Sequence, residues 1–481
     1  MPKFNGVSRE ETAKYNKLGA NTLLLAMGTF ASKLLVFFLM PLYTSILSSA
    51  QYGVADIISQ SANLIIPIAS VGIYNGVFRF AADKAEGKRT VLSSALASLL
   101  IGLGVFLLLS PLLGLITYIS EYVWLLVLYV VAAGVHYVCS YYLRAIDKTR
   151  LFAIQGIFNT LMTIALNVLF LVVFEIGIVG YVLSVVIANV LTIIFIFVFS
   201  GIGKDISFGA VKKSKMGELL RYSIPLIPAT VIWWITDVSD RYLVTYFRGS
   251  AENGLYSASY KIPTLITLLA GIFIEAWQFS AINEKDDEKG LESFYSTVFE
   301  AFMGVVFVSS CALIFASKLS ARVLFDQSYF EAWRYVPTLL VATVFMALVS
   351  FFGTVYMVKK KSVLSFFTAI LGALINVVLN ILLIPKYGPL GAAFATAVCY
   401  FTVFIIRMIN SVKYIRFKLP ALRLALNSLL IVAAALIMTV EISSWVLYEG
   451  AILAVLIAIN IAPIWRFARI FFSGLLRKIK K

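Results

Sequence analysis

Apolar stretches of about 20 residues or more recur along this whole chain, separated mostly by short polar turns. A helix of that length spans about 30 Å, the thickness of a bilayer's hydrocarbon core. Lipid offers no partner for a bare backbone amide, so only helices or a closed barrel can cross it. A barrel needs short segments of alternating polarity, and these are absent. Hydrophobic residues make up 61% of the 481 and charged ones only 13%, which excludes an ordinary soluble enzyme. The expected class is an all-α polytopic membrane protein.

The runs and their breaks give 14 spans, at about 20–47, 52–83, 90–116, 121–145, 150–174, 177–200, 221–248, 252–283, 291–316, 332–358, 362–384, 388–412, 421–441 and 444–466. The first 19 residues are polar and carry four Lys or Arg, so no cleavable signal peptide is expected. With the N-terminus placed in the cytoplasm, 31 of the 40 basic residues fall in loops on that side and five on the other. This asymmetry orients the chain with both termini cytoplasmic. It also accounts for the net charge of +16 without a nucleic-acid partner. In this count the remaining four, Lys33, Arg79, Arg241 and Lys261, lie within spans.

The chain repeats itself. Ser49-Ala50-Gln51-Tyr52-Gly53 matches Ser250-Ala251-Glu252-Asn253-Gly254 at an offset of 201 residues. Later in each half, Asn167 is followed by Gly177 and Gly180, and Asn376 by Gly388 and Gly391. Six spans per half is an even number, so the repeat is parallel, with its axis along the membrane normal. The expectation is two pseudo-symmetric six-helix lobes around a central cavity, with two further helices at the C-terminal end. The boundaries are 1–200 for the N-terminal lobe, 201–220 for a cytoplasmic linker, 221–412 for the C-terminal lobe, and 413–481 for spans 13–14 and a basic tail.

Charge inside a span is expensive and marks a pathway or a site. The turn Trp233 to Arg241 reads WWITDVSDR, and Asp237, Asp240 and Arg241 share one helical face by their three- and four-residue spacing. Asp237 and Arg241 could form a local pair. Lys33 and Lys261 have no acid three or four residues away, so they must find partners on other helices or line water. By rise per residue, Lys33 and Asp237 lie at similar depth, about 21 and 16 Å from the outer face. Asp56, Gln60, Asn63 and Pro67 form a polar stripe on span two, and Ser257, Lys261 and Thr264 one on span eight, where Pro263 is expected to bend the helix. Asp56 is either interfacial or part of the site, and Arg79 either snorkels or touches substrate. Glu275 and Glu300 are further intramembrane acids. A cleft lined by Lys33, Arg79, Arg241 and Lys261 would attract anions such as a phosphate. Tyr43, Trp233, Trp234, Tyr242, Tyr256 and Tyr260 could stack on sugars or anchor at the interface.

The single His136 and the scattered Cys139, Cys311 and Cys399 read as packing residues, with neither a disulfide framework nor a metal site indicated. No Gly-rich phosphate loop, metal-ligand spacing or nucleophile elbow appears. The outer loop 317–331 is only about 15 residues, short for a polymerase or ligase acting on lipid-linked sugars. Transport, not catalysis, is the expectation, and no cofactor is called for.

Taken in order, Lys33 to Leu47, Gln51-Tyr52-Gly53 with Asp56, Pro67 to Gly72, Arg79-Phe80, Asp240-Arg241-Tyr242, Gly254-Leu255-Tyr256 and Gly388 to Thr396 resemble a family across essentially the whole chain. It is that of the polysaccharide-transporter-type lipid-linked oligosaccharide flippases, within the multidrug/oligosaccharidyl-lipid/polysaccharide exporter superfamily. The resemblance implies two lobes opening alternately to either side of a bacterial cytoplasmic (inner) membrane, around a cationic cavity formed by Lys33, Arg79, Arg241 and Lys261. The substrate implied is an undecaprenyl-diphosphate-linked oligosaccharide moved to the outer leaflet for capsule, exopolysaccharide or O-antigen assembly, alongside a polymerase and glycosyltransferases. Asp56, Asp237, Asp240 and Glu275 are then candidates for charge pairing or for coupling to a proton, sodium ion or the membrane potential. Lipid II flippases of the superfamily carry more arginine in span one, where this chain has Lys33 alone. A lipid II flippase and a cation-coupled multidrug exporter remain as alternatives, and the leftover basic residues argue against the exporter.

Overall fold

The computed structural model describes residue 35 and residues 37–83, 87–283 and 288–479. Among these, no residue lies in a strand. The helices are α1 Met40–Ile46, α2 Ser49–Ala69, α3 Ile73–Ala81, α4 Lys88–Leu109, α5 Val123–Ala145, α6 Thr149–Asn167, α7 Gly177–Ser200 and α8 Lys213–Ser223. They continue as α9 Ile227–Arg248, α10 Ser250–Ser259, α11 Lys261–Asn283, α12 Glu288–Phe315, α13 Ser317–Leu324, α14 Val336–Val358, α15 Ser362–Ser411, α16 Ala421–Val440 and α17 Trp445–Ile479. Among the described residues, ten helices are long and apolar enough to cross a membrane, and up to 12 if two bent pairs each count as one span. The all-helical multispan class is as expected, whereas the count of 14 is not reproduced. Most of the first expected span lies outside the described residues, and the eleventh and twelfth fuse into the 50-residue α15.

Several expected spans are broken rather than straight. The second divides into α2 and α3, bent by 56° at Ser70 to Gly72. Val71 and Gly72 there have φ of 53° and 59°. The eighth divides into α10 and α11, bent by 40° around Tyr260. Pro263 has no N–H to return to Ser259, so the proline does weaken the helix, one turn before its own position. α15 turns sharply at Gly388, where φ 59° and ψ −143° suit glycine alone. Gly177, its counterpart in the first half, also has a positive φ of 52°.

By internal contacts the chain falls into two compact units: the described residues up to Leu39 with Val54–Val231, and Met40–Gly53 with Ile232–Lys481. The division therefore runs through α9 rather than through the basic connector. Within the first unit that connector is tied down. Tyr142 donates to Asp205 Oδ2 (2.9 Å), and the Ser207 and Lys212 amides donate to Ser93 Oγ (2.9 Å) and Ser94 Oγ (3.1 Å). His136 of α5 joins three helices, its ring nitrogens pairing with Asn189 Oδ1 of α7 and Gln155 Oε1 of α6, both at 2.8 Å. It serves packing, as expected, through a buried polar network in which Gln155 also donates to Ser140 Oγ at 2.7 Å.

In the second unit, α14 is buried along most of its length and packs against α15. Trp277 of α11 anchors an aromatic cluster there, donating to Thr354 Oγ1 at 3.1 Å and stacking on Phe351. The segment between α12 and α14 is tied to the start of the described chain. The Asp326 amide donates to Thr44 Oγ1 (3.0 Å) and Tyr329 donates to the Leu47 carbonyl (2.8 Å). Asp326 itself caps the following 3-10 helix, accepting from the Ser328 amide at 3.0 Å, and these bonds hold its carboxyl below the usual aspartate range.

The Ser49–Gly53 and Ser250–Gly254 repeats meet inside this second unit. A Cβ on Gly53 would lie 2.0 Å from the Ser250 carbonyl oxygen, and one on Gly254 would lie 1.8 Å from that of Ser49. The contact is reciprocal, and Asn253 Nδ2 closes it by donating to the Gly53 carbonyl at 3.1 Å.

Candidate functional site

The charged turn of α9 is built around Asp240. Its carboxylate is 1% exposed and accepts from the Tyr256 and Tyr260 hydroxyls, both at 2.7 Å, and from the Arg241 amide at 2.8 Å. The bend between α10 and α11 brings Tyr256 and Tyr260, four residues apart, onto one carboxylate oxygen. A buried acid so enclosed is held by the fold, with no oxygen left open to a ligand. Beside it the Arg241 guanidinium lies 4.6 Å from the centre of the Tyr260 ring, in cation–π range. Tyr260 thus links the buried carboxylate, through its hydroxyl, to the Arg241 guanidinium, against its ring, and Lys261 follows Tyr260 in the chain, half-buried in the first turn of α11.

Asp237, one turn earlier, is open on the face of α9 and accepts from the Tyr400 hydroxyl of α15. Around the same stretch is a group of neutral oxygens. Ser239 Oγ donates to Asn376 Oδ1 (3.1 Å), Asn380 Nδ2 donates to the same oxygen (2.8 Å), and Asn376 Nδ2 donates to Thr396 Oγ1 (3.2 Å). Asn376 and Asn380 are fully buried, and Asn380 Oδ1 has no hydrogen-bond partner. Among the described residues no three His, Cys, Asp or Glu converge as a transition-metal site would need.

Lys33 lies outside the described residues, so its depth relative to Asp237 has no counterpart here. Asp56 is buried on α2, with Gln60 donating to it at 3.4 Å, and Arg79 is exposed in the last turn of α3. Glu275 is exposed on α11, and Glu300 pairs with Arg423 at 2.9 Å. The sugar-stacking expectation is corrected for two aromatics. Tyr256 is fully buried against Asp240, and Tyr43 is buried and stacks on Tyr52, so neither presents a face to a ligand.

Arg407 is the residue that the basic count misassigned. Counted with a cytoplasmic loop, it lies inside α15 with 2% exposure, donating to the Val349 carbonyl (3.1 Å), Thr368 Oγ1 (3.0 Å) and the Ser365 carbonyl (3.2 Å). Its guanidinium also faces Trp233 of the charged turn at 5.8 Å. Tyr400 and the Asn376–Asn380 pair carried a weak signal, polar groups four residues apart on an apolar helix. Nothing in their spacing tied them to α9.

A family model described as polysaccharide biosynthesis protein matches residues 18–278, more than half of the chain. The chain belongs to that family. An uncharacterized membrane protein of Methanocaldococcus jannaschii is 22% identical over 191 residues, which are 39% of this chain and 44% of that protein. The match thus spans under half the length of this curated relative. Among solved structures, the lipid II flippase MurJ in an inward closed conformation is similar over 94% of this chain and 100% of its own, with a TM-score of 0.67 at 16% identity. An inward-facing multidrug resistance MATE family transporter of the MOP superfamily gives 0.66 at 14% identity, covering 83% of this chain and 99% of its own. An outward-facing one gives 0.57 at 16% identity, covering 82% and 95%. The polysaccharide biosynthesis family member described here therefore has a transporter-type, all-helical fold in a multi-pass membrane protein.

Proposed function

We propose that this protein is a flippase that carries a prenyl-diphosphate-linked oligosaccharide from the cytoplasmic to the outer leaflet for cell-surface polysaccharide assembly. The observation that carries the reading is Arg241, a cation in a membrane helix that lies against the ring of a tyrosine anchored to a buried carboxylate, in a chain of the polysaccharide biosynthesis family. A fixed guanidinium suits a diphosphate, because its fork pairs with phosphate oxygens without reorganising. Lys33, Arg79 and Lys261 complete the cationic set on this reading, and the prenyl chain stays in lipid. Relatives of this fold described as inward- and outward-facing support alternating access as the mechanism. Coupling is assigned to a cation held near Asp237 and the Ser239–Asn376–Asn380–Thr396 oxygens, since hard monovalent cations take carboxylate and amide oxygens. Asp240 is excluded from that role because its oxygens are already occupied. The protein works, on this reading, in the cytoplasmic membrane with both termini inside, beside glycosyltransferases and a polymerase.

The test is translocation of a labelled prenyl-diphosphate oligosaccharide in reconstituted vesicles. Arg241→Ala and Lys33→Ala are expected to lower the rate at least tenfold, and wild-type rates in both would remove the cationic site. The likeness to a solved lipid II flippase favours a second reading, in which lipid II is the cargo. Lipid II supplied to the same vesicles decides between them: preferential flipping of lipid II overturns the oligosaccharide assignment.

A further inference from the structure

The C-terminal helices hold a carboxyl that transport through Arg241 does not use. Glu449, in the second turn of α17, is 0% exposed, and neither of its carboxyl oxygens has a hydrogen-bond partner. It faces α12. The antiparallel register of the two helices is fixed at one level by the Phe315 and Trp445 rings, 6.1 Å apart. At another, Gly304 lets α12 approach so closely that a Cβ there would lie 3.1 Å from Asn460 Cβ. Between these levels stand Ser310 and Cys311, both fully buried, with Cys311 near enough to feel the Glu449 charge. Ser310 Oγ is a second buried atom with no partner.

The other charged groups at this end of the helices are engaged elsewhere. Lys318 pairs with Glu441 at 3.0 Å, just beyond α16, and packs over the Trp333 and Trp445 rings. Arg334 pairs with Glu331 at 2.6 Å. From α16 the buried side chains in this half are apolar, Ala434, Ala435 and Met438. A carboxylate in that setting would be a bare charge in a dry, apolar seam, whereas the neutral acid carries no such penalty.

We propose that Glu449 is a proton-binding site of the membrane domain: its carboxyl holds a proton while α17 is seated on α12 and releases it to water only when that seam opens. The chemistry is one reversible protonation, carboxylate plus water-borne proton giving carboxylic acid, with no other reactant. Seating of α17 then takes up a proton, and alkaline conditions favour its release from α12. The inference does not depend on what the protein transports.

The test is an infrared difference spectrum at pH 6 of the purified full chain, wild type minus Glu449→Gln. The expected result is the C=O stretch of one un-ionised carboxyl, lost in the variant. Only ionised carboxylate bands in the difference would overturn the assignment. Should Glu449→Gln unfold, Glu449→Met is the reference in its place. Hydrogen exchange over residues 445–456 tests the coupling. Corrected for intrinsic chemistry, it is expected to rise severalfold from pH 7 to pH 9 in wild type and to stay level in the variant; an equal response in both would refute release on opening.

Discussion

At the scale of single residues, the chemistry turns on how Asp240 is enclosed. Removing one donor from a buried carboxylate leaves part of its charge unanswered, so Tyr256→Phe should cost about 1.5–3 kcal/mol of stability. Tyr260→Phe removes the same kind of bond but keeps the ring beneath Arg241. The two variants should therefore lose similar stability in thermal unfolding while both retain substrate binding. Tyr260→Leu, which also removes the ring, should weaken binding of a prenyl diphosphate. Equal binding by Tyr260→Leu and Tyr260→Phe would show that the ring does not position Arg241. The sequence revealed that Asp237, Asp240 and Arg241 share a helical face. It did not reveal that Asp240 is enclosed and Asp237 open, because that difference rests on three tyrosines from α10, α15 and the break before α11. Arg407 was lost for a related reason. Near a span end, a basic residue on a membrane helix looks the same whether it snorkels to water or turns inward to carbonyls.

At the scale of elements, the helices were legible and so were two of the three breaks. Spans of apolar residues show plainly in the chain, and the Gly388 kink falls where a span boundary was expected. The break at Val71 lies inside a run read as one span and is made by backbone geometry, whereas Pro263 announces the one at Tyr260. The crossing of α2 and α10 offers the sharpest test at this scale. Gly254→Ala would place a carbon 1.8 Å from the Ser49 carbonyl oxygen, and a backbone atom cannot rotate away. The expected cost is about 3 kcal/mol or more, at the upper end of overpacking. Gly104→Ala, in α4 with open space around it, is the control and should leave the melting temperature within error. A tolerated Gly254→Ala would mean that the helix starts do not approach so closely.

At the scale of the whole molecule, the all-helical class was readable because hydropathy is a property of the chain. The grouping of Met40–Gly53 with the second half was not, since it follows from contacts with residues some 200 or more positions away. The three cysteines give a way to watch the assembled molecule. Cys139 lies in the first unit, Cys311 in the α12 seam against Glu449, and Cys399 in α15, and all three are buried. A membrane-permeant maleimide should modify none of them in the folded protein and all of them in denaturing detergent, as read by intact mass. Selective modification of Cys311 at alkaline pH would report opening of that seam alone.

The reciprocal contact at Gly53 and Gly254 has one more consequence. Each partner in it is a peptide carbonyl facing a bare α-carbon, so neither side has a side chain that could shrink to make room for a change on the other. Compensatory substitution, the usual route by which packed residues drift in pairs, is closed here. Among related chains that keep this crossing, both positions should be held as glycine independently. The two sites would then form an invariant mark of the fold, present even where every residue of the cationic site has been replaced.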